Sequence, residues 1–125
     1  MSATVLVVED NEDNRALVVK VLTRQGYRVL EALSGEEALD LAAREHPDLV
    51  LMDLNLRGMS GFDATRRLKE DPELRGVPVV ALTAYAMVGD RERALAAGCD
   101  GYLSKPVDVR RLPETVAGFL QEGSS

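Results

Sequence analysis

Two short apolar segments of this chain run directly into acidic residues: Glu9 and Asp10 follow Thr4 to Val8, and Asp53 follows Leu49 to Met52. Two others run into a hydroxyl and an ammonium. Thr83, with Ala84 beside it, follows Val77 to Leu82, and Lys105-Pro106 comes just after Gly101 to Leu103. Three ionised carboxylates brought together repel one another unless a cation sits among them, and hard oxygen donors favour a divalent ion such as magnesium. An ion held by only two or three protein oxygens keeps positions open for water and phosphate oxygens, the usual arrangement for phosphoryl transfer. An aspartate beside it can act as the nucleophile. Lys105, the Thr83 hydroxyl and backbone N–H groups near Ala84 would then meet the charge on the transferring group.

Such a site requires elements that carry all five positions to one place. Five apolar runs, Thr4 to Val8, Arg28 to Ala32, Leu49 to Met52, Val77 to Leu82 and Gly101 to Leu103, alternate with longer segments of helical spacing. Several of the runs are β-branched and unalternating, as in strands buried on both faces. The order specifies an α/β fold: a parallel sheet with helices on both sides and ligands expected at the carboxyl ends of the strands.

The helices carry their own start and stop signals. Leu17, Val18, Val21 and Leu22 share a face, with Asn11 as cap and Gly26 as terminator. Ser34 and Glu37 have capping-box spacing ahead of Ala38, Leu39, Ala42 and Ala43, with Pro47 beyond, and Ser60-Gly-Phe-Asp63 opens a third helix. A fourth is expected over Met87 to Ala97, with small residues on its inner face and Gly98 at its end. The last starts after Asp108, and Pro113 predicts either a distorted start or a beginning near residue 113.

The 125 residues, 46% hydrophobic, suit one domain over residues 1–122 with a disordered tail at 123–125. A net charge of −6 argues against a nucleic-acid partner. The single cysteine, Cys99, rules out an intramolecular disulfide and suits a reducing cytoplasm, and the apolar run Val5 to Val8 is too short for a membrane span or signal peptide. No Gly-rich nucleotide loop follows the first run. Each feature also has a plainer explanation: Glu9 and Asp10 as solvated charge, Thr83 as a turn hydroxyl, Tyr102 as a packing aromatic, Cys99 as core filler and His46 as a surface residue. Only the combination of Asp10, Asp53, Thr83 and Lys105 favours a site.

Val-Glu-Asp-Asn at 8–11, Leu-Met-Asp-Leu at 51–54, Leu-Thr-Ala at 82–84 and Leu-Ser-Lys-Pro at 103–106 together resemble the receiver domains of bacterial two-component response regulators. The match spans essentially the whole chain. It implies a flavodoxin-like sheet of order 2-1-3-4-5, with Asp53 as phosphoacceptor and Mg2+ bound by Asp10, Asp53 and the Asn55 backbone carbonyl, Glu9 helping directly or through water. It also implies Thr83 as the switch hydroxyl, Tyr102 as the aromatic that turns inward, Lys105 as the phosphate-pairing lysine, and a cis Lys105-Pro106 bond. Asn55 and Tyr85 would tune the dephosphorylation rate. Many members have proline four residues after the phosphoacceptor, where this chain has Arg57.

The implied donor is a histidine kinase or histidine phosphotransfer protein. The output would be an unidentified protein read through helix 4, strand 5 and helix 5, in a monomer or weak dimer without direct nucleic-acid or membrane contact. A receiver excised from a hybrid kinase and an unphosphorylated receiver-like scaffold are the alternatives. A magnesium-dependent phosphatase fits poorly, because Asn55 stands where its general acid would be needed.

Overall fold

In a computed structural model, which describes residues 3–84 and 89–123, five strands and five helices alternate along the chain. The strands are β1 (Thr4–Val8), β2 (Arg28–Ala32), β3 (Leu49–Asp53), β4 (Val79–Thr83) and β5 (Gly101–Ser104). The helices are α1 (Glu12–Arg24), α2 (Gly35–Glu45), α3 (Gly61–Glu70), α4 (Asp90–Ala97) and α5 (Arg111–Gly123). All strand pairs are parallel, in the order β2-β1-β3-β4-β5.

The unbroken apolar strands follow from burial on both faces. Successive side chains of a strand point to opposite sides, so Val5, Val7, Leu49, Leu51, Val80 and Leu82 pack on one face with Val18 and Leu22 of α1 and Leu112 and Val116 of α5. Leu6, Val8, Val50, Met52, Val79 and Ala81 pack on the other with Ala38 and Ala42 of α2, Ala64 and Leu68 of α3 and Ala94 of α4. The outer strands β2 and β5, with a neighbour on one side only, are less buried.

Three expected caps form: the side chains of Asn11, Ser34 and Ser60 accept from the backbone N–H groups of Asn14, Glu37 and Asp63. Each satisfies one of the unpaired donors of its first turn. Gly98 adopts φ of 109° and closes α4.

Several expectations are corrected. Leu17 is exposed, because the buried stripe of α1 runs through Val18 and Leu22. α5 begins at Arg111 and not near residue 113, and its start is distorted as expected: the Leu112 N–H donates to the Asp108 carbonyl in a helical turn, but Pro113 has no N–H to carry that turn on to residue 109. Gly123 is the last residue of α5 and not the first of a tail, while Ser124 and Ser125 lie outside the described residues. α4 is described from Asp90 onward, and Met87 also lies outside the described residues.

His46 ends α2 in the left-handed region, with φ of 47°, the one described non-glycine residue at positive φ. That conformation costs an L-residue about 1–2 kcal/mol. His46→Gly is therefore expected to stabilise the protein by roughly 1 kcal/mol, less the larger chain entropy of glycine, measurable as a rise in urea midpoint at unchanged slope.

Candidate phosphoacceptor and metal site

The carboxyl ends of the three central strands carry the chemistry. Glu9 and Asp10 follow β1, Asp53 closes β3 and Thr83 closes β4. Parallel register sets Asp53 beside Leu82 and Thr83 beside Ser104, and the Lys105 N–H donates to the Thr83 carbonyl at 2.7 Å. The expected site residues therefore converge: oxygens of Glu9, Asp10 and Asp53 lie within 4.8 Å of one another. The Lys105-Pro106 bond is cis, as expected.

Lys105 Nζ donates to Glu9 Oε1 at 2.8 Å and Oε2 at 3.2 Å, and lies 3.2 Å from Asp53 Oδ2. Asp53 is 2% exposed and Glu9 1%. Oδ1 of Asp53 accepts the Asn55 N–H at 3.0 Å, and Oδ2 of Asp10 accepts the Arg57 N–H at 3.1 Å. Three clustered carboxylates, two of them in contact with one ammonium, thus form a donor set of hard oxygens with net negative charge that fits a divalent cation.

Burial is the largest influence on Glu9, and together with the Asp53 carboxylate it outweighs Lys105 and pushes the Glu9 pKa from 4.5 up to about 7. For Lys105, burial pulls the pKa down but the two carboxylates prevail, leaving it above its ordinary value. Because Glu9 holds its proton more tightly folded than unfolded, its contribution to stability is complete below about pH 4.5 and lost as pH rises through about 7. The metal-free protein is expected to melt at a higher temperature at about pH 6 than at about pH 8, and equal values would refute this account of the cluster.

Thr83 is buried, while Ala84 beside it is exposed. Tyr102 packs against the core on the α2–α4 side of the sheet. Its hydroxyl pKa is raised, by burial first and then by Asp90, with a side-chain hydrogen bond to Thr83 acting in the opposite direction. The two residues expected to form a switch therefore already interact. Asn55 is exposed beside Asp53, and Tyr85 lies outside the described residues.

Two residues that shape the site escaped the sequence reading. The Arg15 guanidinium donates to the Glu9 carbonyl at 3.0 Å and to the Glu31 carboxylate at 3.1 Å, bracing the end of β1 against β2. Gly61, the first residue of α3, donates its N–H to the Leu54 carbonyl at 3.3 Å. A Cβ at Gly61 would run into the Asp53 carbonyl oxygen and lie 2.7 Å from Leu54 Cα. Local sequence signals Gly61 only as part of a helix start.

The carboxyl edge of a doubly wound parallel sheet thus carries an acidic cluster and a lysine. Residues 5–117 match the response regulator receiver domain, and the chain belongs to that family. Among its relatives, the polar-differentiation response regulators DivK of Brucella ovis and Brucella suis are 48% identical over 120 residues, covering 96% of this chain and 98% of theirs. The receiver domain of a sensor histidine kinase from Pseudomonas aeruginosa, solved with a magnesium ion coordinated in its active-site cleft, aligns with a TM-score of 0.90 at 36% identity, over 97% of this chain and 99% of that one. A putative response regulator from Chloroflexus aurantiacus aligns with a TM-score of 0.93 at 30% identity, with 97% and 99% covered. This chain is a phosphorylatable response regulator domain.

Proposed function

We propose that Asp53 accepts a phosphoryl group from a phosphohistidine on a kinase or phosphotransfer protein, assisted by Mg2+. The observation that carries this reading is the buried Asp53 carboxylate, which shares its surroundings with Glu9, Asp10 and Lys105. Asp10, Asp53 and the Asn55 carbonyl would hold the ion, with Glu9 directly or through water. The ion would neutralise charge on the transferring group. Lys105, the Thr83 hydroxyl and the Ala84 N–H, at or just after neighbouring strand ends, would receive the phosphoryl oxygens.

A group of nearly two negative charges would draw the Thr83 hydroxyl and so disturb its interaction with Tyr102. The change would reach the α4–β5–α5 face. Leu95 is exposed on α4, and a cavity of about 260 Å³ is lined by Tyr102, Leu103, Pro106, Val107 and Arg111, a surface suited to a protein partner. No helix among the described residues is long and apolar enough to cross a membrane, which is compatible with a cytoplasmic signalling role for a monomer or weak dimer.

The test is intact-protein mass after incubation with a small acyl phosphate, with and without Mg2+, followed by peptide mapping. One phosphoryl group on the peptide containing Asp53, formed only with Mg2+, is the expected result; an adduct elsewhere, or none, would overturn the proposal. Asn55 and Tyr85 are proposed to control water access to the phosphoryl group. The half-life of the adduct is expected to change severalfold in Asn55→Ala, and an unchanged half-life would remove Asn55 from that role.

A further inference from the structure

Arg57, four residues after Asp53, carries a backbone N–H that a proline at this position would lack. Here that N–H is used: it donates to Oδ2 of Asp10 at 3.1 Å, joining residues 47 apart in sequence. Asp10 lies on the turn after β1 and Arg57 on the loop between β3 and α3, so the bond links the two loops that supply the carboxylates and the Asn55 carbonyl. Gly58, at φ of 76°, makes the turn that follows. Arg57 is exposed, so it is the main chain that reaches the site.

Asp10 is less buried than Glu9 and Asp53, and repulsion from these two carboxylates would drive its side chain toward solvent. A fixed donor opposes that rotation. A carboxylate has about four lone-pair sites, so one N–H leaves Oδ1 and part of Oδ2 available to a cation. We infer that the Arg57 N–H is a positioning group that holds the Asp10 carboxylate in its cation-binding orientation before the cation arrives, an inference that rests on the Mg2+ reading above. Outer donors of this kind are worth about 10–100-fold in metal affinity.

The experiment compares Arg57→Pro, which deletes the N–H, with Arg57→Ala, which keeps it, by calorimetric titration with Mg2+. Arg57→Pro is expected to bind about 10-fold more weakly than Arg57→Ala. Equal or tighter binding by Arg57→Pro would overturn the inference. A second measurement does not depend on the folding of the proline variant or on the metal: exchange of the Arg57 amide proton in the metal-free protein. It is expected to be at least about tenfold faster in Asp10→Ala than in the unaltered protein, and equal exchange would overturn the inference. Failure of the unaltered protein to bind Mg2+ would refute the cation reading instead, and the exchange rates would still decide whether the hydrogen bond positions Asp10.

Discussion

Asp53→Ala is expected to lower Mg2+-dependent phosphoryl incorporation by roughly 10³-fold or more, because the proposed nucleophile and a proposed cation-facing oxygen are lost together. The same substitution should not destabilise the metal-free protein. Asp53 is buried close to the carboxylates of Glu9 and Asp10, so its removal relieves like-charge repulsion and leaves the Glu9–Lys105 pair at 2.8 Å intact. A melting temperature equal to or above that of the unaltered protein in metal-free buffer is the expected companion result. Asp53→Asn, which retains an oxygen for the Asn55 N–H, separates loss of the nucleophile from loss of that hydrogen bond. Undiminished incorporation in both variants would place the acceptor elsewhere.

Gly61→Ala is expected to harm both stability and phosphorylation. The added methyl group has no free space, because it meets main-chain atoms of Asp53 and Leu54 and not the end of a flexible side chain. Either α3 moves outward or the end of β3 moves with Asp53. Overpacking against backbone belongs at the upper end of the usual range, about 3 kcal/mol. The Leu54 N–H donates to the Leu82 carbonyl of β4, so movement there also strains the strand pairing beside Thr83. Misplacement of the nucleophile by about 1 Å can cost about 100-fold in rate. Chemical denaturation and the initial rate of incorporation from a small donor, both compared with Gly58→Ala, measure the two effects. A Cβ at Gly58 meets no atom within 4 Å, although its φ of 76° still costs backbone strain. A Gly61→Ala protein that retained full stability and rate would show that α3 does not set the Asp53 backbone.

Lys105 links these results to the pH dependence. Among the described residues it is the one ammonium in contact with both Glu9 and Asp53, and even so burial and Asp53 leave Glu9 with a pKa of about 7. The metal-free site is thus short of positive charge at neutral pH. A bound divalent cation would relieve that deficit and favour the ionised Glu9, which is why metal and proton are expected to compete there.

What could be read from the chain alone was what depends on neighbours in sequence. The short unbroken apolar runs marked the strands, the Asn11, Ser34 and Ser60 caps began three helices as expected, and the alternation of runs with helical segments indicated an α/β fold. The site was legible because the strands of a parallel sheet end at one edge, so that residues following each apolar run must converge. Element ends were less legible: β3 and β4 extend through Asp53 and Thr83 because pairing with adjacent strands continues to those residues. Pro113 left two starts open for the last helix, and the turn at Asp108 with α5 from Arg111 decided for the distorted one. Leu17 looked buried until the sheet selected the face of α1 that it covers. The Glu9–Lys105 contact spans 96 residues, and the Arg57 N–H bond to Asp10 and the approach of Gly61 to Asp53 likewise join separate elements. Sequence determined which groups were available, whereas their distances, desolvation and shared proton equilibria arose only when tertiary packing removed water from between them.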